Sequence, residues 1–261
     1  MIKKSEYAVE LRNRLVTQIR DFAVSHGFRK VVIGISGGKD SAVAAALCAR
    51  ALGPENVFGV MLPNGDQVDI GDSIKVCKRL KIPYRTININ DMFRGLMYNF
   101  SNAAPKGETY IPYDDQSKVN VAPRLRMTAL RYVTQALGAR LVGTGNLSEI
   151  TVGYCTKDGD TSCDFSVLGA LTSIEVVQVG LTMPELPASI VKKTPSDGLC
   201  GFTDEEKLGI SYADIHKFIR EGTCGDPVVD QKISHLEQVN RHKRFPPPVI
   251  NPFVGMEADK E

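Results

Sequence analysis

Val31-Val32-Ile33-Gly34-Ile35-Ser36-Gly37-Gly38-Lys39-Asp40-Ser41 passes from an apolar run straight into a glycine turn. The run is too short and too β-branched for a helix, and its unbroken apolar character is that of a strand buried on both faces. Asp40 to Leu52 is rich in alanine and closes on Gly53-Pro54, which reads as a helix with its stop. Upstream, Leu11, Leu15, Ile19 and Phe22 recur from Tyr7 on one helical face that ends near His26-Gly27. Downstream the alternation repeats: strand at Val57 to Leu62, helix at Asp69 to Leu80, strand at Tyr84 to Ile89, helix at Val119 to Leu137, strand at Arg140 to Gly143. Strands separated by helices imply right-handed βαβ units. The fold class expected is therefore α/β, a twisted parallel sheet with helices on both faces.

Past Gly145 the pattern changes. Residues 153–170 are rich in Gly, Asp and Thr with no clear period, and after Thr172 short helices follow one another without strands. Thr203-Asp-Glu-Glu206 and Ser211-x-x-Asp214 are helix-start boxes. Pro246-Pro247-Pro248 cannot continue a helix. One domain over 1–261 is expected, with a nucleotide-binding core at 28–145 and a substrate loop plus helical extension at 146–261. The chain's 261 residues are 43% hydrophobic and 24% charged, enough to bury a core without disulfides or a structural metal. Thirty-two Lys and Arg against thirty Asp and Glu leave +2, which counts against a protein that coats nucleic acid. Six cysteines, none in a CxxC pair, argue against zinc ribbons, thioredoxin-type centres and iron–sulfur clusters, and read as reduced, mostly buried thiols. The start lacks an apolar signal region and no run is long enough to span a membrane, so a cytoplasmic location is expected.

The loop carries the chemistry. Its glycines let backbone N–H groups converge on a phosphate, Ser36 and Ser41 add hydroxyls, and the following helix presents its positive end. It is not a Walker A loop, because position 33 is Ile and Lys39 is followed by Asp40. Nor is it GxGxxG, since Ser36 takes the second glycine's place. An acidic residue in a phosphate-binding turn makes sense with a cation between them, so Asp40 is read as a Mg²⁺ ligand. The plainer alternative is that Gly37-Gly38 make a tight turn and Asp40 caps the next helix.

At these residues the chain resembles the ATP pyrophosphatase (PP-loop) superfamily, and within it the ammonia-dependent NAD synthetases. Further matching stretches are Leu62-Pro63 with Gln67, Asn120-Val-Ala-Pro-Arg124-Leu-Arg126-Met127 and Val142-Gly-Thr144-Gly-Asn146-Leu-Ser-Glu149. Thr151-Val-Gly153-Tyr-Cys-Thr156-Lys157-Asp-Gly159-Asp160, Asp164, Lys193-Thr-Pro195-Ser196, Asp204-Glu205, Leu208-Gly-Ile-Ser-Tyr212 and His242-Lys243-Arg244 follow in order.

The resemblance implies that Gly34, Ile35, Ser36, Gly37, Gly38, Lys39, Asp40, Ser41, Gln67, Thr144, Ser173 and Ser196 line the ATP site. Asp40 and Glu149 are the implied Mg²⁺ ligands, with Asp40, Ser36 and Lys157 at the chemistry. Arg124, Lys157, Asp164, His242 and Lys243 match positions that bind deamido-NAD, whose phosphates and carboxylate call for fixed cations. Plainer readings stand beside these. Glu149 also suits the first turn of a helix begun at Asn146, Arg124 a solvated helix face, and 242–244 a basic helix end before a proline stop. Residues 153–170 suit a loop that closes over a reactive adenylate, or a surface connection.

Two departures bear on vigour. Val167 stands where the family pattern has proline, and Ser173 where it has a lysine for the ATP phosphates. Losing one charge-assisted contact costs about 1.5–3 kcal/mol, and Lys39, Lys192 and Lys193 are the cations that could substitute. Asp197-Gly198 is the second departure. The expected reaction is ATP-dependent amidation of deamido-NAD by free ammonia through an acyl adenylate, since no glutaminase domain is read in the chain. A homodimer is expected by analogy, with the first helix as a candidate interface. The rivals are a tRNA-modifying PP-loop enzyme, disfavoured by net charge and cysteine spacing, and a silent nucleotide-binding module, supported only by Ser173 and Val167.

Overall fold

In the computed structural model, which describes residues 4–67, 69–101, 107–112, 114–194, 203–248 and 250, five strands lie side by side and all run parallel. They are β1 (Val31–Gly34), β2 (Val57–Met61), β3 (Tyr84–Thr86), β4 (Arg140–Gly143) and β5 (Phe165–Ser166), in the spatial order β3-β2-β1-β4-β5. In the central strand Val31 is level with Val57 on one side and Arg140 on the other. Residues Val31 to Ile33 are wholly buried, as a strand covered on both faces demands.

Alternation along β1 divides the core. Val31 and Ile33 face a layer containing α1 (Lys4–Ser25), α2 (Lys39–Leu52), α3 (Ile70–Leu80), α8 (Ser173–Gly180) and α9 (Ala188–Val191). Val32 faces the other side, with Val60, Leu141 and residues of α4 (Asn90–Ser101) and α6 (Val121–Ala136). Helix α2 is almost entirely enclosed: its alanines let it lie close to β1 and β2 with no side chain longer than needed.

A third cluster ties the C-terminal elements together. Val152 of α7 (Leu147–Val152), Ile210, Tyr212 and Ile215 of α11 (Tyr212–Glu221) and Ile233 of α12 (Pro227–Val239) are buried against one another. The intervening α10 (Asp204–Leu208) starts in the Thr203/Glu206 capping box, and Ser211 caps α11 through Asp214 N, as their sequences anticipate.

The structure differs from the sequence reading in four places. Helix α4 occupies residues read only as connection. The helix read over Val119 to Leu137 is two, α5 (Asp115–Val119) and α6, broken at Asn120. The strand read to Ile89 ends at Thr86. Within the region read as lacking period, β5 pairs with β4, Val142 level with Phe165. Of the five described cysteines, Cys48 and Cys77 are buried, while Cys155, Cys163 and Cys224 are half-buried; all are free thiols.

Candidate active site

The strand order reverses at β1, with β2 and β3 on one side and β4 and β5 on the other. In open parallel sheets ligands bind in the crevice beyond the carboxyl ends of the two strands flanking such a point. Here those ends deliver two loops, Ile35–Gly38 from β1 and Thr144–Asn146 from β4, each opening into a helix. The N-termini of α2 and α7 therefore face the same space, and both favour negative charge there.

Side chains and backbone make the first loop a closed circuit. Ser36 Oγ and Ser41 Oγ are 3.1 Å apart, Ser36 N donates to Ser41 Oγ at 3.2 Å, and Ser41 Oγ donates to Gly38 O at 3.2 Å. Gly38 N donates to Ser36 Oγ at 3.3 Å. Gly37 has φ of +84°, and a Cβ on it would lie 3.1 Å from Ser73 Oγ in the first turn of α3. Any other residue would be strained twice over at that point. Ser36 is exposed to the crevice, whereas Gly37, Lys39 and Ser41 are buried.

Asp40 does not cap α2. The cap position is Gly38, and Asp40 lies inside the first turn with its carboxylate turned to the crevice wall. Its Oδ1 accepts from Asn146 Nδ2 at 3.1 Å and its Oδ2 pairs with Lys39 Nζ at 2.6 Å. Asn146, fully buried, also donates its backbone N–H to Glu149 Oε2 at 3.1 Å and caps Glu149 N through Oδ1 at 3.1 Å. One residue therefore orients both carboxylates. The plainer reading of Glu149, a helix-start glutamate, holds, and the capping box is what aims it at Asp40. Burial, reinforced by the charge of Asp40, raises the Glu149 carboxyl well above the usual range, with Lys39 partly offsetting the effect. Two carboxylates held in each other's field through Asn146 are hard oxygen donors, and their chemistry fits a cation such as Mg²⁺.

Behind them Lys39, expected to line the ATP site, meets Tyr212, Tyr154 and Asp204, to which the sequence reading gave no individual role. Lys39 Nζ sits 5.7 Å from the centre of the Tyr212 ring. Tyr212 and Tyr154 hydroxyls both donate to Asp204, at 3.3 and 3.1 Å. Burial, then the charges of Glu149, Asp204 and Asp40, pushes the Tyr212 phenol upward, so it stays a donor. Asn146 was the legible member of this set, since Asn-x-x-Glu is a helix-start signature.

The other expected residues divide into groups. Gln67 Nε2 reaches Ser36 O at 3.4 Å and Asp69 Oδ1 at 2.8 Å, which puts it on the loop. Thr144 is half-buried directly after β4, at the crevice floor. Arg124 Nε donates to Lys157 O at 3.3 Å, bringing those two together at the rim of the 153–164 turns. Lys243 Nζ donates to Gly153 O at 2.8 Å and Cys155 O at 3.0 Å, so the basic segment satisfies carbonyls at the end of α7, with exposed His242 beside it. Asp164 is engaged elsewhere: it pairs with Arg131 and accepts from Leu141 N at 2.7 Å, pinning β5 to β4. Burial alone would raise its carboxyl, but these donors hold it below the usual range. Ser173 is 3% exposed, starts α8 and donates its N–H to Ser148 Oγ at 3.1 Å. Ser196 lies outside the described residues.

The sequence profile of the NAD synthase family matches residues 11–247. The chain belongs to that family. Among curated NAD synthases, the NH(3)-dependent NAD(+) synthetase of Archaeoglobus fulgidus is 38% identical over 243 residues, covering 90% of this chain and 94% of its own. The NMN synthetase of Francisella tularensis superposes with a TM-score of 0.83 at 29% identity, covering 94% of this chain and 98% of that one. The NH3-dependent NAD synthetase of Campylobacter jejuni gives 0.72 at 26% identity, covering 94% and 99%. Both NAD synthase strand ends, at Ser36–Ser41 and at Thr144–Glu149, fall inside the matched span.

Proposed function

We propose that this chain is an NH3-dependent NAD synthetase, a ligase that amidates deamido-NAD with ammonia at the expense of ATP. The observation that carries the reading is the meeting of Asp40 and Glu149 on Asn146 at the mouth of the Ser36–Ser41 loop. The loop amides, the Ser36 and Ser41 hydroxyls and the α2 N-terminus bind and orient the triphosphate, exposing its α-phosphorus to the nicotinate carboxylate. Attack there forms an acyl adenylate and releases pyrophosphate, whose charge the same donors stabilise. Asp40 and Glu149 would hold Mg²⁺, and the ion would supply Lewis-acid neutralisation of that developing charge. Arg124, Lys157, His242 and Lys243 line the rim where the acceptor's phosphates and carboxylate are held, and the 153–164 turns shield the adenylate from water. Ammonia then displaces AMP and leaves the amide; no side-chain nucleophile takes part.

The curated relatives, NH(3)-dependent NAD(+) synthetases of matching length, support this reading. We also propose, by analogy alone, a cytoplasmic homodimer acting on small molecules. The F. tularensis likeness favours a second acceptor, the mononucleotide whose amidation yields NMN. The test is a reaction of purified protein with ATP, Mg²⁺, ammonium and either deamido-NAD or its mononucleotide. NAD and AMP should appear in equal amounts with the first. Product with the mononucleotide alone would move the assignment to NMN synthesis, and ATP binding without AMP would overturn both.

A further inference from the structure

The Ser36–Ser41 loop is bordered on its outer side by an ion-pair cluster to which neither the capping boxes nor the core assigns a task. Lys193, two residues beyond α9, places Nζ 2.7 Å from Asp69 Oδ2 and 3.0 Å from Asp72 Oδ2 at the start of α3. The cluster abuts the loop twice. Asp72 Cβ lies 3.3 Å from where a side chain would begin on Gly37, and Gln67 links Asp69 to Ser36 O.

Among the described residues, the other cations that could replace a lysine at position 173 are buried or point away. Position 173, where the family resemblance expects a lysine, carries a buried serine that offers no charge. Lys39 is 4% exposed, held by Asp40 and turned toward Tyr212. Lys192 ends α9 in solvent. Lys193 alone of these three is both beside the loop and, at 33% side-chain exposure, able to leave its partners.

We propose that Lys193 is the triphosphate-binding cation of this chain, parked on Asp69 and Asp72 in the free protein and transferred to phosphate oxygens when ATP fills the loop. The inference rests on the ATP-dependent reading above. Its physics is an exchange of partners. A part-exposed pair is weakly held, because solvent screens it, whereas a polyphosphate offers greater charge and several acceptors. Lysine suits the move, being a compact charge on a flexible stem with three donors.

The two carboxylates make the proposal separable from a purely structural clamp. Mg-ATP binding is measured by calorimetry without acceptor, alongside the KM for ATP and for deamido-NAD. Lys193→Met should weaken Mg-ATP about tenfold, raise the ATP KM likewise and leave the deamido-NAD KM alone; Lys193→Arg should recover most of the loss. Asp72→Asn, which loosens the parked lysine, should bind Mg-ATP as tightly as the unaltered protein or more tightly. If the cluster is only a clamp, Asp72→Asn weakens binding as Lys193→Met does, and the proposal fails. It also fails if Lys193→Met binds within about twofold of the unaltered protein. Should the unaltered protein bind Mg-ATP without forming NAD, the amidation reading falls while the calorimetric test of Lys193 stands.

Discussion

Glu149 shows how one side chain can serve folding and chemistry at once, with the two demands in conflict. As the third residue of its helix it completes a capping box, yet the same box holds its carboxylate in the field of Asp40. Its carboxyl is raised in the folded state, so its stabilising contribution is present below the ordinary value of 4.5 and is lost as the pH rises toward the folded value. Metal-free protein should therefore be weakened through Glu149 at pH 8 relative to pH 5. Glu149→Gln keeps an acceptor for Asn146 N while removing the charge. At pH 8 without metal it should gain stability, about 1 kcal/mol or ~2–4 °C in melting temperature for a chain of this size. Mg²⁺ should stabilise the unaltered protein and not the variant, and NAD formation by the variant should fall roughly 10²–10³-fold. Urea melts at both pH values, with and without Mg²⁺, check this; an identical pH slope for both proteins would refute the coupling. At this scale the sequence was legible wherever a motif is local. The Ser36–Ser41 loop and the Asn146/Glu149 box both read directly from neighbouring residues. That Asn146 also holds Asp40, 106 residues away, depends on the strand order and is invisible along the chain.

Elements were legible in proportion to their periodicity. Strands β1 and β4 and helix α2 carry unbroken apolar or alanine runs bounded by Gly and Pro, and each was read to within a residue or two. Helix α4, Asn-Asp-Met-Phe-Arg-Gly-Leu-Met-Tyr-Asn-Phe-Ser, mixes a central Gly95 and polar residues into its turns and covers the sheet with few side chains. Met92, Phe93, Leu96, Met97 and Phe100 nevertheless recur at helical spacing, a signal in the sequence that was left unused. Strand β5 has two residues, and its place is held by Asp164 on Leu141 rather than by any run of its own. The end of α7 shows the same dependence on distant contacts. Gly153 closes the helix at φ +69°, and a Cβ there would lie 2.1 Å from Asn240 Cβ, just past α12. Asn240 Nδ2 donates to Val152 O at 3.1 Å and Lys243 to Gly153 O, so the C-terminal segment straps the turn that leads to Lys157. Gly153→Ala must adopt a left-handed conformation and displace Asn240 at the same time. A loss of about 2–5 kcal/mol is expected by urea titration, with a raised KM for deamido-NAD in whatever folds. Unchanged stability would mean that the strap does not bear on the turn.

At the scale of the whole molecule, the parallel sheet does two things with one reversal of strand order. It brings the β1 and β4 loops together for the site, and it leaves its two faces unequally covered. One face is buried beneath five helices, and the other mainly beneath α4 and α6. The apolar stripe that nominated α1 as an interface is spent internally, since Leu11, Leu15 and Ile19 join the core against α2. The outer surfaces of α4 and α6 are different. Tyr98 is 67% exposed, Phe100 50% and Tyr132 76%, a concentration of aromatic surface beyond that of α1. Exposed aromatic side chains gathered on one face have the composition of a protein contact surface. If the homodimer forms, α4 and α6 should meet their own copies across a two-fold axis, where each aromatic contributes twice. Sedimentation should then give about twice the 28.5 kDa chain mass. Tyr132→Glu, which buries a charge at that contact, should shift the protein toward monomer, while Val24→Glu on α1 should leave the mass unchanged. A monomer at micromolar concentration would remove the dimer, and dissociation by Val24→Glu alone would return the interface to α1.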